Sequence, residues 1–472
     1  MSLFPRIALV LVLFLSSSFA FSSDYQSGEV IVKYKEGALR LQSNMNFLYD
    51  SAGVDKVRYF SGLMKDFEHL VLNADVSIEE AIGELEKNPV VEYAQPNYIL
   101  TIPELAQMEL PKPQGGVPCF PGLDIPDCDP DLCWVPGLPL PPGCKDSGGG
   151  GPGNPPANRP ELQEPPGEVI PPEADPDLDK AWGIAKIKAD ETWSDHRGGK
   201  EFVVAVIDTG VDYNHEDLSF NMWRNPNPTQ DDIVGFDFIH NDGLPYDDQG
   251  HGTHTSGTVG AVGGNGKGVS GVAQHVSIMG LKFLTSQGSG TTADAIRAID
   301  YAVENGAKVL SNSWGGRGIN NQALKDSIGR ANEAGVLFIA AAGNDGANND
   351  SSNASYPAAF DNENIIAVAA SDQNDALASF SNYGAVSTDV AAPGVNVYSL
   401  LPGNKYKAHS GTSMACPHVA GAAALIWSKN PDLTSKQVKQ IIMESVDAVP
   451  AFAGKMVTGG RINVQRALSS ME

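Results

Sequence analysis

A proline- and glycine-rich segment divides this chain and most constrains how it can fold. Residues 103–172 hold 19 of the 32 prolines of the chain, together with the run SGGGGPGNPP. Proline removes backbone donors, and this composition favours an extended or flexible linker over a packed core. At 472 residues the chain also exceeds what one hydrophobic core usually accommodates. We therefore expect two folding units, separated by a linker over residues 103–174.

The first residues have the pattern of an export signal. Arg6 precedes an apolar run over residues 7–15, and small residues follow near Ala20 and Ser22. The run is too short to span a bilayer, and no later segment is long and apolar enough. We therefore predict a signal peptide over residues 1–22 and a secreted protein, extracellular or periplasmic, without a stable membrane anchor. The net charge of −25 argues against nucleic acid partners, because phosphate binding needs clustered Lys and Arg.

A small α+β unit is predicted over residues 23–102, between the signal and the linker. Its β-branched and aromatic content predicts four strands, in GEVIVKYK, VDKVRYF, FEHLVLNAD and VVEYAQPNYIL. SIEEAIGELEKN is predicted to be a helix that Ser77 caps, and ALRLQSNMNFLYDSA is predicted to contain another helix. The order β-α-β-β-α-β is typical of a ferredoxin-like arrangement.

Long apolar runs alternate with helical segments over residues 175–472. Runs such as FVVAVID, VSIMGLKFL and GVLFIAAAGN are apolar without alternation, which indicates strands that are buried on both faces. Helical segments such as TTADAIRAIDYAVENG lie between them. This order predicts an α/β fold of three layers, with a parallel sheet and helices on both faces. Ligand sites in such sheets lie at the carboxyl ends of the strands.

Three polar residues in this region have the side chains that acyl transfer requires. Asp208 ends an apolar run in VIDTG, His251 lies in GHGTHTSGTVG, and Ser413 lies in GTSMACPHVAGAAAL. A hydroxyl nucleophile needs an imidazole to accept its proton and a carboxylate to orient the imidazole. Taken singly, Asp208 and His251 could be turn residues and Ser413 could be a helix N-cap.

Two other functions are compatible with parts of this pattern. Asp-Thr-Gly at residues 208–210 is also the signature of aspartic peptidases. Those enzymes need two carboxylates that share a proton, and this interpretation would leave His251 and Ser413 without a role. The second alternative is a non-catalytic peptide-binding protein on a peptidase fold, since a fold does not determine a function.

Together the three motifs resemble those of the subtilisin-like serine peptidases, in the same chain order of Asp, His and Ser. VAVIDTGVD, GHGTHTSGTVG and GTSMACPHVAGAAAL are long matches, and the resemblance covers about residues 175–468. It implies a serine endopeptidase made as a zymogen, in which Ser413 attacks, His251 transfers the proton and Asp208 orients the imidazole. Asn344 in FIAAAGNDG matches the oxyanion position of the family, where an amide donates to the developing negative charge.

The resemblance also implies two segments that bind an extended protein or peptide substrate by its main chain. One segment, in LSNSWGGRG, contributes Ser313, Trp314 and Gly315. The other segment, in QGSGTT, lies on the opposite side of the substrate and contributes Gly288, Ser289 and Gly290. Trp314 is expected either to form the wall of a subsite or to belong to the core.

Residues 23–102 resemble the inhibitor-like propeptide of the same family, with VVEYAQPNYIL as its final strand. This resemblance implies an intramolecular chaperone and inhibitor that is removed autocatalytically, and whose C-terminal end blocks the cleft until it is cut. The enzyme is then expected to be a monomer. A linker over residues 103–174 is unusual for the family, so the resemblance does not locate the maturation site.

Calcium is the structural cofactor that the resemblance implies. Asp217 in NHEDL matches a calcium ligand of the family. The glycine-rich loop VGGNGKGV matches the loop that supplies further oxygens, with Val262 and Asn265 as the expected contributors.

A second acidic loop, GFDFIHNDGLPYDD, resembles a calcium site of the thermitase branch. Asp237 and Asp242 match its ligands, whereas His240 stands where an acidic ligand is usual. Two interpretations remain open, a second calcium site and a merely solvated acidic loop.

Four of the five cysteines cluster in the linker. In an exported protein an even cluster favours two disulfides, with three possible pairings, among Cys119, Cys128, Cys133 and Cys144. Zinc is the alternative, although the spacing lacks the C-x-x-C pairs that are typical of structural zinc. Cys416 stands apart, and we expect it to be a buried, unpaired thiol.

Overall fold

The chain folds into two units in the computed structural model, which describes residues 25–40, 42–103, 159–164, 174–319 and 321–471. We call residues 25–103 the N-terminal unit and residues 174–471 the C-terminal unit. The predicted signal peptide and the four clustered cysteines lie outside the described residues.

The N-terminal unit has the predicted order β-α-β-β-α-β, so that prediction is confirmed. Its elements are β1 (Tyr25–Tyr34), α1 (Gln42–Ser51), β2 (Val54–Tyr59), β3 (Phe67–Leu72), α2 (Ile78–Leu85) and β4 (Val91–Thr101). The strands lie antiparallel in the order β2-β3-β1-β4. As expected, the Ser77 side chain caps α2 by accepting a hydrogen bond from the backbone N–H of Glu80 (3.2 Å).

The sheet of the N-terminal unit is buried on both faces. Val30 and Val32 of β1 pack into the apolar cluster that contains Leu85 of α2. Ile31 lies between them in sequence and packs instead with Ile296 of the C-terminal unit. Successive side chains of a strand face opposite sides of a sheet, so one face covers the unit's own helices and the other covers the C-terminal unit.

The C-terminal unit has the expected α/β fold. Its strands are β5 (Gly198–Asp208), β6 (Gly235–Asp237), β7 (His275–Lys282), β8 (Ser289–Thr291), β9 (Val309–Asn312), β10 (Gly316–Arg317), β11 (Leu337–Ala341), β12 (Ser355–Tyr356), β13 (Ile365–Ser371), β14 (Val390–Pro393), β15 (Val397–Leu401), β16 (Lys405–His409), β17 (Asp447–Ala448) and β18 (Gly460–Arg461). Its helices are α3 (Trp182–Lys186), α4 (His251–Gly260), α5 (Thr292–Glu304), α6 (Gln322–Glu333), α7 (Thr412–Lys429), α8 (Ser435–Glu444) and α9 (Val464–Ser469). Within the described ranges, no helix has both the length and the apolar content needed to cross a membrane.

A sheet of nine strands forms the centre of this unit, in the order β17-β18-β14-β13-β11-β9-β5-β7-β6. All of its neighbouring strands pair in parallel except β17 and β18. Val204 and Val206 of β5 pack into the cluster that contains residues of α4 and α7, whereas Val203 and Ala205 pack into the cluster of α5 and α6. Both faces are therefore apolar, which explains the uninterrupted apolar runs in the sequence.

Two amide side chains of β4 join the units at the beginnings of α5 and α6. The Asn97 Oδ1 atom accepts a hydrogen bond from the N–H of Ala293 (2.9 Å), and the Gln95 Oε1 atom accepts one from the N–H of Ala323 (3.0 Å). The first N–H groups of a helix have no partner within the helix. The N-terminal unit therefore supplies acceptors that the C-terminal unit needs.

Asp300 of α5 is a buried carboxylic acid beside the N-terminal unit, next to the 3₁₀ turn Gly62–Met64. Burial raises the pKa of Asp300 from 3.8 to about 8, and the negative charges of Glu304 and Asp66 act in the same direction. The backbone of the turn and the guanidinium of Arg330 only partly oppose this rise. The folded protein therefore binds the Asp300 proton more tightly than the unfolded chain does.

This difference predicts that the stability contributed by Asp300 falls as the pH rises. Between about pH 4 and about pH 8 the unfolded chain ionises Asp300 and the folded protein does not, so ionisation favours unfolding there. The free energy of unfolding, measured with urea, should fall more over this pH range for the parent than for Asp300→Asn. The same pH dependence in both proteins would contradict the prediction.

Candidate active site

Strand β5 holds Asp208 at the carboxyl edge of the sheet. The side chain is fully buried, and its Oδ1 atom accepts a hydrogen bond from the N–H of Thr209 (2.7 Å). The backbone carbonyl of Asp208 accepts hydrogen bonds from the N–H groups of Phe283 and Leu284 (3.1 and 3.2 Å). Hydrogen bonds to its backbone carbonyl and to its carboxylate together fix the position of Asp208.

His251 is the first residue of α4 and pairs with Asp208. Its Nδ1 atom lies 2.8 Å from Oδ1 and 3.0 Å from Oδ2 of Asp208. The buried Nε2 atom has no hydrogen-bond partner among the described residues. A proton on Nδ1 leaves Nε2 able to accept another. The carboxylate thus orients an imidazole, which favours a serine peptidase site over an aspartic peptidase site.

Asp247 is a residue that the sequence analysis missed. It is buried, and its carboxylate accepts hydrogen bonds from the Thr209 hydroxyl (2.8 Å), the Gly250 N–H (2.8 Å) and the Thr253 N–H and hydroxyl (2.8 and 2.6 Å). These bonds tie the residue after Asp208 to the first turn of the helix that carries His251. An Asp just ahead of a helix start is the local signal that could have indicated this role.

Ser413 is the second residue of α7, which packs against α4. Its hydroxyl donates a hydrogen bond to the backbone carbonyl of Ser313 (3.2 Å), and the Ser313 hydroxyl donates to the Ser413 carbonyl (2.9 Å). The two helices bring Ser413 to the same edge of the sheet as the pair of Asp208 and His251. The Ser413 hydroxyl is engaged by Ser313 here and does not donate to His251.

Asn344 follows β11 with its amide fixed in one orientation. Its Oδ1 atom accepts hydrogen bonds from the N–H and the hydroxyl of Thr412 (both 2.9 Å). Its Nδ2 atom is therefore directed away from α7, and it donates to the carbonyl of Pro103 (3.3 Å). A fixed amide donor beside Ser413 is suited to hold a negatively charged oxygen.

The end of the N-terminal unit, residues 99–103, lies between the two segments that were predicted to bind substrate. We call these residues the tail. The tail pairs antiparallel with β8, through Ile99 with Thr291, Leu100 with Gly290 and Thr101 with Ser289. The N–H of Ile102 continues the pairing on this side by donating to the carbonyl of Gly288 (2.9 Å). On the other side, Thr101 exchanges two N–H···O bonds with Gly315 (both 2.9 Å). The tail therefore occupies the cleft as an extended peptide.

Of the two roles left open for Trp314, a subsite wall and a core residue, the contacts of the side chain favour the core. The side chain is fully buried, its indole N–H donates to the carbonyl of Ile207 (2.8 Å), and its ring packs against Phe283 and Phe338. A buried indole needs a partner for its N–H, and a strand carbonyl of the core supplies it. We therefore assign the Trp314 side chain to the core.

Asp217 and Asn265, two of the expected calcium ligands, lie in contact. The Asn265 amide donates to the Asp217 carboxylate (2.8 Å), and the N–H of Val262 donates to the Asp217 carbonyl. Asp175, which the sequence analysis missed, accepts hydrogen bonds from the N–H groups of Gly264 and Asn265 (2.9 and 3.0 Å). Burial raises the pKa of Asp217 to about 8, and the Asp175 charge acts in the same direction. Two carboxylates thus face one glycine-rich loop, which fits a hard cation such as calcium.

The described residues contain no point where three His, Cys, Asp or Glu side chains converge as metal ligands. A cation at Asp175 and Asp217 would therefore need amide and backbone oxygens as well, which is the kind of ligand set that calcium accepts.

Cys416 is a free, buried thiol, as expected. It lies 3.6 Å from the carbonyl of Asn312 and 3.5 Å from that of Ile339, on the sheet side of α7. Burial raises the pKa of Cys416 to about 11. A thiol that stays protonated and inaccessible is a poor nucleophile, so Cys416 is not a candidate for the attacking group.

Two family profiles and several known proteins match this chain. The profile of the Subtilase family matches residues 199–463, and that of the Fervidolysin N-terminal prodomain matches residues 20–97. Subtilisin DY of Bacillus licheniformis is 40% identical over 288 residues, which cover 61% of this chain and 97% of the relative. Thermitase of Thermoactinomyces vulgaris is 39% identical over 289 residues, which cover 61% of this chain and 96% of the relative. A thermophilic serine proteinase of a Bacillus species (strain AK1) is 39% identical over 288 residues, 61% of this chain and 67% of the relative.

The family profile matches more than half of the chain, and two of these relatives are covered over nearly their whole length. The chain therefore belongs to the subtilase family and is a serine endopeptidase with an N-terminal prodomain.

Proposed function

We propose that Ser413, His251 and Asp208 form the catalytic triad and that Asn344 is an oxyanion donor. One observation carries the proposal: the Asn344 Nδ2 atom donates to the Pro103 carbonyl of a peptide that lies extended in the cleft (3.3 Å). An amide that binds the carbonyl of a bound peptide is positioned to bind the oxyanion that forms from it.

The chemistry follows from these positions. The hydroxyl of Ser413 attacks the carbonyl carbon of the substrate and transfers its proton to Nε2 of His251, while Asp208 stabilises the resulting imidazolium. The negative charge develops on the carbonyl oxygen, where Asn344 and the backbone N–H of Ser413 donate. His251 then protonates the leaving amine, and water releases the acyl group from Ser413 by the same steps.

Substitution of the proposed residues should separate their roles. Ser413→Ala should lower kcat on casein by about 10⁶, because no nucleophile remains. Asn344→Ala should lower kcat by about 10²–10³ with little change in KM, because it removes one donor from the transition state. Ser194→Ala, an exposed serine far from the cleft, serves as the control. Casein hydrolysis by Ser413→Ala at the parental rate would refute the assignment.

We further propose that the tail is the first substrate, and that the enzyme cuts its own chain between Pro103 and Glu104. Thr101 and Gly315 form a hydrogen-bonded pair, and the next such pair in an antiparallel ladder lies two residues further along. Pro103 is therefore aligned with Ser313, with its carbonyl on Asn344. The carbonyl of the bond to be cut is thus bound as the mechanism requires.

Proline at this position makes the tail a slow substrate. Proline has no N–H, so Pro103 cannot donate to the Ser313 carbonyl opposite it. The Ser413 hydroxyl donates to that carbonyl (3.2 Å), which keeps it away from His251. A residue with an N–H would compete for the Ser313 carbonyl and release the nucleophile.

Pro103→Ala should therefore accelerate self-cleavage, by up to about tenfold for one restored hydrogen bond. The decay of the full-length chain can be followed by gel electrophoresis after rapid refolding. Thr101→Ala is the matched control, since it changes an exposed side chain of the same tail and keeps its N–H. Equal or slower cleavage of Pro103→Ala would contradict this role of proline.

We propose that the protein is secreted and that its segments are a signal peptide over residues 1–22, a propeptide over 23–102, a linker over 103–174 and a catalytic domain over 175–472. The export pattern at the start of the sequence supports secretion. The pairing of the linker cysteines as two disulfides stays a prediction.

Calcium is the cofactor that we propose for the loop beside Asp217. Asp175, Asp217 and Asn265 would contribute side-chain oxygens, and Val262 would contribute a backbone oxygen. When bound, the ion would offset the repulsion between two buried carboxylates and hold the loop in place. It would stabilise the fold and take no part in the reaction.

Calcium should therefore stabilise the protein only when Asp217 is present. In a Ser413→Ala background, which prevents autolysis, calcium at about a hundred times its dissociation constant should add about 2.7 kcal/mol to the free energy of unfolding. Asp217→Asn should lose most of this gain. The exposed Asp179→Asn is the control and should keep it. An equal gain in Asp217→Asn would rule out this site.

A further inference from the structure

The end of the linker docks on the C-terminal unit through Arg159. The guanidinium makes two parallel hydrogen bonds to the carboxylate of Asp242, from Nη1 to Oδ1 (2.8 Å) and from Nη2 to Oδ2 (2.9 Å). Nη1 also donates to the carbonyl of Leu244 (2.8 Å). Only 12% of the Arg159 side chain is exposed, so most of this contact is removed from water.

The guanidinium occupies the acidic loop in which the sequence allowed a second calcium site. Its Nη1 atom lies 3.7 Å from Oδ2 of the buried Asp237, which also accepts a hydrogen bond from Nδ1 of His240 (2.7 Å). The backbone N–H groups of Ile239 and His240 donate to the other oxygen of Asp237 (2.9 and 3.0 Å). Asp237 and Asp242, the two carboxylates that matched calcium ligands, therefore both have partners, and the positive charge comes from the chain itself.

The residues after Arg159 are held mainly by their main chain. The hydroxyl of Tyr213 donates to the carbonyl of Pro160 (2.6 Å), and the Asn214 amide donates to the carbonyl of Glu161 (2.7 Å). The N–H of Gln163 donates in turn to Oδ1 of Asn214 (2.9 Å). Leu162 packs on the core of the C-terminal unit. Arg159 is thus the one charged side chain that ties residues 159–164 to the acidic loop.

We propose that the loop of residues 237–244 is a guanidinium-binding site whose ligand is Arg159, and that it holds residues 159–164 on the C-terminal unit. A planar guanidinium donates two parallel hydrogen bonds to the two oxygens of a carboxylate, which an ammonium group cannot do. The loop therefore takes an internal guanidinium in place of a divalent cation.

The docked segment has a consequence for maturation, and this part rests on the proposed function. A cut between Pro103 and Glu104 leaves Arg159 on the catalytic side of the chain. The site would then keep the end of the linker attached to the mature enzyme as a docked N-terminal extension. Failure of the proposed cut would leave the docking of Arg159 untouched.

Limited proteolysis of the full chain tests the docking directly. A protease specific for glutamate should cut slowly after Glu161 and Glu164 in a Ser413→Ala background, because both lie in the docked segment. Arg159→Ala should raise the cleavage rate about ten- to hundredfold, as expected for the loss of charged hydrogen bonds. Arg159→Lys should raise it nearly as much, because an ammonium group cannot reproduce the paired bonds. Arg466→Ala, at a distant exposed arginine, should leave the rate unchanged.

Chemical rescue tests the specificity of the site. Millimolar guanidinium chloride should slow the cleavage of Arg159→Ala towards the parental rate, whereas sodium chloride at the same concentration should not. Circular dichroism spectra identical to the parent would confirm that the variants are folded. Three results would each overturn the proposal: unchanged cleavage of Arg159→Ala, full protection by lysine, or rescue by calcium chloride equal to that by guanidinium.

Discussion

Strand β4 of the N-terminal unit pairs antiparallel with β8 of the C-terminal unit, and this pairing fixes how the two units meet. It extends the sheet of the N-terminal unit into the cleft, and it aligns the tail so that the carbonyl of Pro103 meets the amide of Asn344. The same strand carries Asn97 and Gln95 to the beginnings of α5 and α6. One strand register therefore places both the acceptors for α5 and α6 and the peptide in the cleft. A shift of β4 by one residue would disrupt both sets of contacts.

Buried carboxylates recur in this protein, and each has a different means of compensation. Asp208 is paired with an imidazole, Asp247 accepts several backbone and hydroxyl donors, and Asp237 lies between the imidazole of His240 and the guanidinium of Arg159. Among the described residues, Asp217 has only neutral hydrogen-bond donors and lies near the like charge of Asp175, which is why a cation is proposed there and not at the loop of Arg159. A buried charge needs such a partner to offset its desolvation, and the type of partner indicates the chemical role of each site.

Features that depend on local sequence pattern could be predicted from the sequence, whereas features that depend on contacts between distant residues could not. Apolar runs without alternation, as at residues 203–207, correctly indicated strands covered on both faces, and the motifs around Asp208, His251 and Ser413 indicated residues that the fold brings to one edge. Trp314 could not be assigned, because an indole suits a subsite wall as well as a core and only its distant partners, Phe283 and Phe338, decide between them. Arg159 lies in a segment whose composition predicts only a linker, and its partner Asp242 is far along the chain.

The first bond that the enzyme cuts in its own chain depends on the register of the tail, the position of Asn344 and the nucleophile together. Intact-mass spectrometry of the freshly refolded full-length protein would identify that bond. We expect a fragment that ends at Pro103 and a partner that begins at Glu104, with neither formed by Ser413→Ala. A first cut at another bond, or the same cut in Ser413→Ala, would contradict it.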